Sequence, residues 1–154
     1  MIIYSDGSAH PNPGPGGFGV VVCDDNNNLI TTYGRQFPDQ KVTNNEMEIK
    51  SILYIMLNYG CKDCDWSRPP LVYSDSAYCV NIFNDWMFTW QRNGWTKSDH
   101  KPPENLKLIQ AYYNWYMKGY RIELLKVKGH NGNKWNELAD KIATGKEKPM
   151  TGGK

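Results

Sequence analysis

The stretch "MIIYSDGSAHPNPGPGGFGVVVCDDNNNLITTYGRQF", Met1 to Phe37, decides the fold. Its first two apolar, β-prone runs, "MIIYSD" and "GGFGVVVCDD", are separated by "HPNPGPG", which only a loop or turn accommodates. A third run, "NNNLITTYGRQF", follows with Asn26 to Asn28 as the turn of a β-hairpin. Three antiparallel strands therefore open the chain.

Beyond this stretch the period changes. Thr43 reads as a helix N-cap, because Glu46 stands three residues later in capping-box spacing. Met47, Ile49, Ile52, Leu53, Ile55, Met56 and Tyr59 recur at helical spacing, and Gly60 is a stop. After the proline pair of "SRPPLVYSD", "LVYS" reads as a short strand and "SAYCVNIFNDW" as a helix. "MFTWQRNGWTKSDHKPPEN" is polar, mixed in charge and rich in tryptophan, and reads as a protrusion. A helix in "NLKLIQAYYNWYMKGY", a strand in "RIELLKVKG" and a helix in "NKWNELADKIATG" complete the chain. The order predicts an α/β fold: a five-stranded mixed sheet, three antiparallel N-terminal strands and then two parallel ones, flanked by helices. Residues 1–145 form one domain in this reading, and 146–154 a flexible tail.

Composition narrows the class. A chain of 154 residues with 40% hydrophobic and 22% charged residues fits a soluble globular domain with a proper core. No apolar run approaches the roughly 20 residues that span a bilayer, and "MIIYSDGSAH" lacks the features of a signal peptide. A cytoplasmic monomer with no membrane partner is the expectation. Of the four cysteines, Cys61 and Cys64 have metal-ligand spacing in "CKDC", but no second pair completes a site, so reduced thiols are expected. Residues 1–77 hold 5 Lys+Arg against 9 Asp+Glu, whereas residues 78–154 hold 13 against 7. An acidic half beside a basic half suits a protein that holds cations with one region and grips a polyanion with another.

Four carboxylates fall at telling places on this map. Asp6 and Asp75 end two strands, in "YSDGS" and "YSDSA"; Glu48 lies in the first turns of a helix, and Asp140 on the last helix. Strand C-termini and neighbouring helix ends form the usual functional crevice of an open α/β sheet. If the four converge, divalent cations relieve a repulsion of roughly 4 kcal/mol per close pair at an effective dielectric of 20, and a two-metal site cleaves phosphodiesters. Each acid also has a bland reading: Asp6 and Asp75 as turn-formers, Glu48 as a complement to a helix dipole, Asp140 as one charge on a wet face.

Taken together, "DGSAHPNPGPGGFG", "TNNEMEI", "YSDSAY" and "KGHNGNKWNELAD" resemble ribonuclease H type 1, the RNA/DNA-hybrid endonucleases, over nearly the whole chain. The resemblance implies a ribonuclease H-like fold with a handle, and endonucleolytic hydrolysis of the RNA strand of RNA/DNA hybrids, leaving 5′-phosphate and 3′-hydroxyl ends. It implies two Mg²⁺ ions, with Mn²⁺ as an alternative, held by Asp6, Glu48, Asp75 and Asp140, Asp6 bridging both. His130 matches the mobile catalytic histidine that assists proton movement or product departure. Asn12, Asn44 and Asn45 match positions that contact the hybrid. Thr43 and Asn105 match a pocket for a DNA-strand phosphate, and Trp86 and Ser98 match the DNA-strand channel. Capping by Thr43 and Asn44, a turn role for Asn12 and packing for Trp86 are the plainer alternatives. Trp90 and Trp95 are assigned to holding the protrusion together.

The sequence departs from the family at Glu46, where many relatives carry a basic residue, and at Ala77, where a long polar side chain is common. With a protrusion that mixes Arg92, Lys97, Lys101 and Lys107 with Asp99 and Glu104, this predicts weaker hybrid binding. The rival readings are a DNA junction resolvase or transposase-type nuclease, and a catalytically inactive hybrid-binding module.

Overall fold

The computed structural model describes residues 1–64, 68–127 and 133–152. Three strands, β1 (Ile2–Ala9), β2 (Gly14–Cys23) and β3 (Leu29–Val42), lead into helix α1 (Asn44–Tyr59) and a two-residue strand β4 (Cys61–Lys62). Strand β5 (Leu71–Ser74) is followed by α2 (Ala77–Asn81), a π-helical turn over Ile82–Trp86 and α3 (Met87–Arg92). Helix α4 (Leu106–Met117), strands β6 (Tyr120–Arg121) and β7 (Glu123–Lys126), helix α5 (Lys134–Ala143) and strand β8 (Thr151–Gly152) follow.

The main sheet has the order β7-β5-β1-β2-β3-β8. β1, β2 and β3 pair antiparallel, and β5 and β7 add parallel to β1. The predicted three-plus-two arrangement is therefore present, with a sixth strand that the sequence reading lacks. β8 pairs parallel with β3 through Tyr33 and Thr151 and through Gly34 and Gly152. It is held there by Met150 N–H donating to Thr32 Oγ1 (2.7 Å) and Thr151 Oγ1 donating to the Thr32 carbonyl (2.5 Å). Thr151 and Gly152, within the predicted tail, form an edge strand, because Thr32 offers this stretch both an acceptor hydroxyl and a carbonyl.

Alternation along β1 divides its side chains between two cores. Ile3 packs with Met47, Ile49, Ile52, Val72, Ile82 and Ile109 beneath α1 and α4. Tyr4 joins Val21, Cys23, Ala139 and Ile142 in a smaller cluster beneath α5. Helix α1 begins as predicted: the Thr43 hydroxyl accepts Glu46 N–H at 3.1 Å.

Two local expectations are corrected. The segment from Met87, read as protrusion, continues as helix to Arg92, because fully buried Met87 and core-packed Trp90 carry on the apolar face of α2. Cys61 and Cys64, expected as thiols, are joined as a disulfide. Within the protrusion Trp95 meets Tyr113 edge-on at 5.3 Å, in keeping with a bracing role.

Candidate active site

The repeated "YSD" is the structural key. In the parallel pairing of β1 with β5, Tyr4 lies opposite Tyr73 and Ser5 opposite Ser74. The tyrosine rings stack at 5.5 Å, and both serines are fully buried. Just past the paired serines Asp6 and Asp75 stand side by side. Asp75 follows the last residue of β5, whereas Asp6, expected to end its strand, lies within β1 opposite Gly19, because β1 stays paired with β2 as far as Ala9.

Glu48 reaches them because of Gly7. A Cβ on Gly7 would lie 2.7 Å from the Met47 carbonyl oxygen and closer still to Glu48 N, so only glycine lets the first turn of α1 rest on the β1 backbone. Gly7 N–H then donates to Asp6 Oδ1 and to Glu48 Oε1, each at 2.9 Å. On the opposite face, Gly19 seats α5. A Cβ there would stand 2.8 Å from Ile142 Cβ and closer to the Ala139 carbonyl. This seat brings Asp140 to the pocket that Asp6 lines.

The outcome is a carboxylate cluster. Oxygens of Asp6, Glu48 and Asp75 all lie within 4.8 Å of one another. With Asp140 they line an open pocket of about 360 Å³ together with Gly7, Ser8, Asn44, Asn45 and Ser76. Asp6 and Glu48 are only 5% and 6% exposed, so water screens them poorly. Burial, and after it the charge of Glu48, holds the Asp6 carboxyl well above its ordinary 3.8. Burial likewise lifts Glu48 above 4.5, against the opposing hydrogen bonds from Asp6 and Gly7. The pair thus retains a proton that isolated carboxyls would have lost.

These residues fit a hard divalent cation. All donors are oxygens, as Mg²⁺ and Mn²⁺ prefer, and Glu48 Oε2 is buried with no hydrogen-bond partner among the described residues. A buried, unpartnered carboxylate oxygen is costly unless a cation or a proton meets it.

The remaining predicted residues divide. Asn44 Oδ1 accepts Ala9 N–H at 2.6 Å, and Asn12 Oδ1 accepts Asn44 N–H at 3.1 Å. Both amide oxygens are committed to joining the β1–β2 loop to α1, which leaves the NH₂ groups to meet a ligand. Asn44→Ala should therefore lower stability by about 1 kcal/mol through the orphaned Ala9 N–H and weaken nucleic-acid binding as well; urea unfolding and a binding titration check both. Thr43 spends its hydroxyl on the α1 cap. Trp86, Ser98 and Asn105 do not line the carboxylate pocket. Trp86 lies 38% exposed between Tyr78 and Trp90, and Ser98 is exposed in the protrusion. Asn105 precedes α4 with left-handed backbone (φ 59°), and its side chain makes no capping bond. His130 lies outside the described residues.

Sequence reasoning missed Gly7 and Gly19 as site-builders, and Ser76, whose hydroxyl caps α2 by accepting Cys79 N–H at 3.2 Å beside Asp75. The signal for Gly7 was in view, as the glycine directly after the aspartate of "YSDG". Gly19 carries no such mark.

Comparison with known proteins follows the same lines. The sequence family described as RNase H matches residues 1–147. A ribonuclease H of Caldanaerobacter subterraneus subsp. tengcongensis is 36% identical over 145 residues, covering 92% of this chain and 87% of that protein. That of Symbiobacterium thermophilum is 38% identical over 148 residues, covering 93% and 91%. Among solved structures, LC9-RNase H1, a type 1 RNase H with the type 2 active-site motif, superposes with a TM-score of 0.71 at 24% identity. The superposition covers 98% of this chain and 74% of that one.

Proposed function

Because this chain belongs to the ribonuclease H family and is thereby an endoribonuclease, we propose that it hydrolyses the RNA strand of RNA/DNA hybrids, leaving 5′-phosphate and 3′-hydroxyl ends. The observation that carries the reading is the meeting of Asp6, Glu48 and Asp75 within 4.8 Å, with Glu48 Oε2 left unpartnered. Asp6, Glu48, Asp75 and Asp140 would hold two divalent cations, Mg²⁺ or Mn²⁺. The chemistry such a pair supplies when bound is activation of the attacking water and support of the leaving 3′-oxygen.

The chain's own residues do the rest. Gly7 N–H orients the Asp6 and Glu48 carboxylates together. The half-buried Asp75 and Asp140 leave one side of the cluster open to a phosphate. Asn44 and Asn45 line the pocket and Asn12 is hydrogen-bonded to Asn44; their NH₂ groups would suit the 2′-hydroxyls of a shallow minor groove. Trp86, Ser98, Thr43 and Asn105 would follow the DNA strand, and His130 would move a proton or speed product departure. One chain supplies all four carboxylates, so the proposed unit is a monomer. Among the described residues no helix is long and apolar enough to cross a membrane.

The departure at Glu46 is softened by its neighbour. Lys50 Nζ stands 3.4 Å from Glu46 Oε2, one helical turn away, and partly neutralises it.

The test is cleavage of an RNA/DNA hybrid, a DNA junction and duplex DNA, each with Mg²⁺ and with EDTA. Only the hybrid should be cut, and only with metal. Preferential cutting of the junction would favour the resolvase reading, and metal-insensitive binding without turnover would favour a binding module.

A further inference from the structure

We propose that Gln36, on β3, is a positioning residue for Asp140; this deepens the ribonuclease H reading and rests on it. The Gln36 Nε2 group donates to the Ile142 carbonyl at 2.8 Å and to the Ala143 carbonyl at 3.1 Å, across more than 100 residues of sequence. These are among the last carbonyls of α5; that of Ile142 also accepts Gly145 N–H at 3.1 Å.

The anchoring matters because side-chain hydrogen bonds tie α5 to the sheet region at both ends: Trp135 Nε1 to the Asn27 carbonyl (2.9 Å) holds the N-terminal end, and Gln36 holds the C-terminal end, nearer Asp140. The helix is 10 residues long, below the length at which helices persist unaided. Its apolar face rests on a small cluster, with Ala139 and Ile142 as its own buried members. Its first turn is capped by Asn133, whose side chain accepts Asn136 N–H at 3.1 Å. Asp140 lies toward the other end, two residues before the first carbonyl that Gln36 holds. Thr144 also bonds back to the Asp140 carbonyl, but from within the same segment, so it cannot fix α5 relative to the sheet. Gln36 can, because β3 pairs along its length with β2, and β2 with β1, which carries Asp6. The side chain thus links the position of Asp140 to that of Asp6 through the sheet. An acceptor or a negative charge at position 36 would not serve, since the partners are carbonyls at the negative end of a helix.

The experiment compares Gln36→Met, Gln36→Glu and Gln36→Arg with the unaltered protein. Met fills similar volume without a donor, Glu presents only acceptors, and Arg restores donors. In Met and Glu variants the Mg²⁺ concentration for half-saturation, read by calorimetry on the protein alone, should rise about tenfold, the equivalent of two modest hydrogen bonds. Amide exchange of residues 141–145 should quicken, while KM for an RNA/DNA hybrid stays within about twofold of the unaltered protein. Gln36→Arg should restore both Mg²⁺ affinity and exchange protection. A Met variant that loses thermal stability but keeps its Mg²⁺ affinity overturns the proposal, as does failure of a folded Arg variant to restore it. If the unaltered protein binds Mg²⁺ but does not cut hybrid, the functional reading fails while the role of Gln36 in metal binding stands.

Discussion

Asp6→Asn is expected to reduce cleavage of hybrid by at least about 10³-fold, or roughly 4 kcal/mol of barrier, and at the same time to make the metal-free protein more stable. Both effects have one origin. Asp6 lies buried at the centre of the cluster, with Glu48 and Asp75 close by and Asp140 lining the same pocket. Removing its charge takes away a ligand and also the repulsion that the ligand brings. At neutral pH in EDTA the gain should be about 2–4 kcal/mol, or a rise in Tm of roughly 5–10 °C.

The sign follows from the upward shift of Asp6 and Glu48. A carboxyl whose folded value is raised supports folding fully below its unfolded value, and that support is lost as pH rises through the folded one. Metal-free wild type should therefore weaken from about pH 4, where the ordinary values of 3.8 and 4.5 lie, toward and beyond neutrality. The advantage of Asp6→Asn should be greatest near pH 8 and vanish near pH 4. Added Mg²⁺ should raise the Tm of wild type much more than that of the variant. Thermal melts across pH, with and without metal, decide it; equal melting of the two proteins in EDTA at pH 8 would refute the electrostatic account.

Gly7→Ala should do comparable damage by a different route. The added methyl meets main-chain atoms of Met47 and Glu48 rather than a movable side chain. Relief requires α1 to lift from β1, where Ile49, Ile52, Ile55 and Met56 fill the larger core. A cost of about 3 kcal/mol or more is expected, and Tm should fall by roughly 6–12 °C. Because Glu48 moves with the helix, activity should drop beyond what lost stability explains, including at temperatures where the variant is fully folded. Melting curves and hybrid cleavage at 15 °C test this. A variant that folds and cuts normally would show that the close approach of α1 and β1 is not needed.

Much of this architecture was legible in the chain. Thr43 and Glu46 marked the start of α1, and the two "YSD" runs marked neighbouring strands whose register aligns Asp6 with Asp75, although only the second run ends its strand. Those signals are local, so a linear reading captures them. What placed Glu48 and Asp140 against Asp6 is not local: it depends on which backbones lie close enough to exclude a methyl, at Gly7 and Gly19. The helical continuation through Met87 was obscured by the polar, glycine- and proline-bearing run that follows from Gln91. The π-helical turn at Ile82–Trp86 leaves no periodic trace, being a single widened turn. β8 was invisible for a simpler reason. Two residues have no alternation to read, and their partner Thr32 lies over 100 positions away.

That short strand has a bearing on solubility. β3 runs for 14 residues and, past Tyr33 and Gly34, would offer a long row of free amides and carbonyls to any extended peptide that drifted alongside. Leu29 and Ile30 on the same strand are 39% and 50% exposed, which makes such templating stickier. Pro38, Asp39 and Lys41 break up the far end, and Thr151 with Gly152 occupies the middle. A fusion or trimming that pulls these last residues away would uncover a seed for fibril-like stacking, leaving the catalytic pocket untouched.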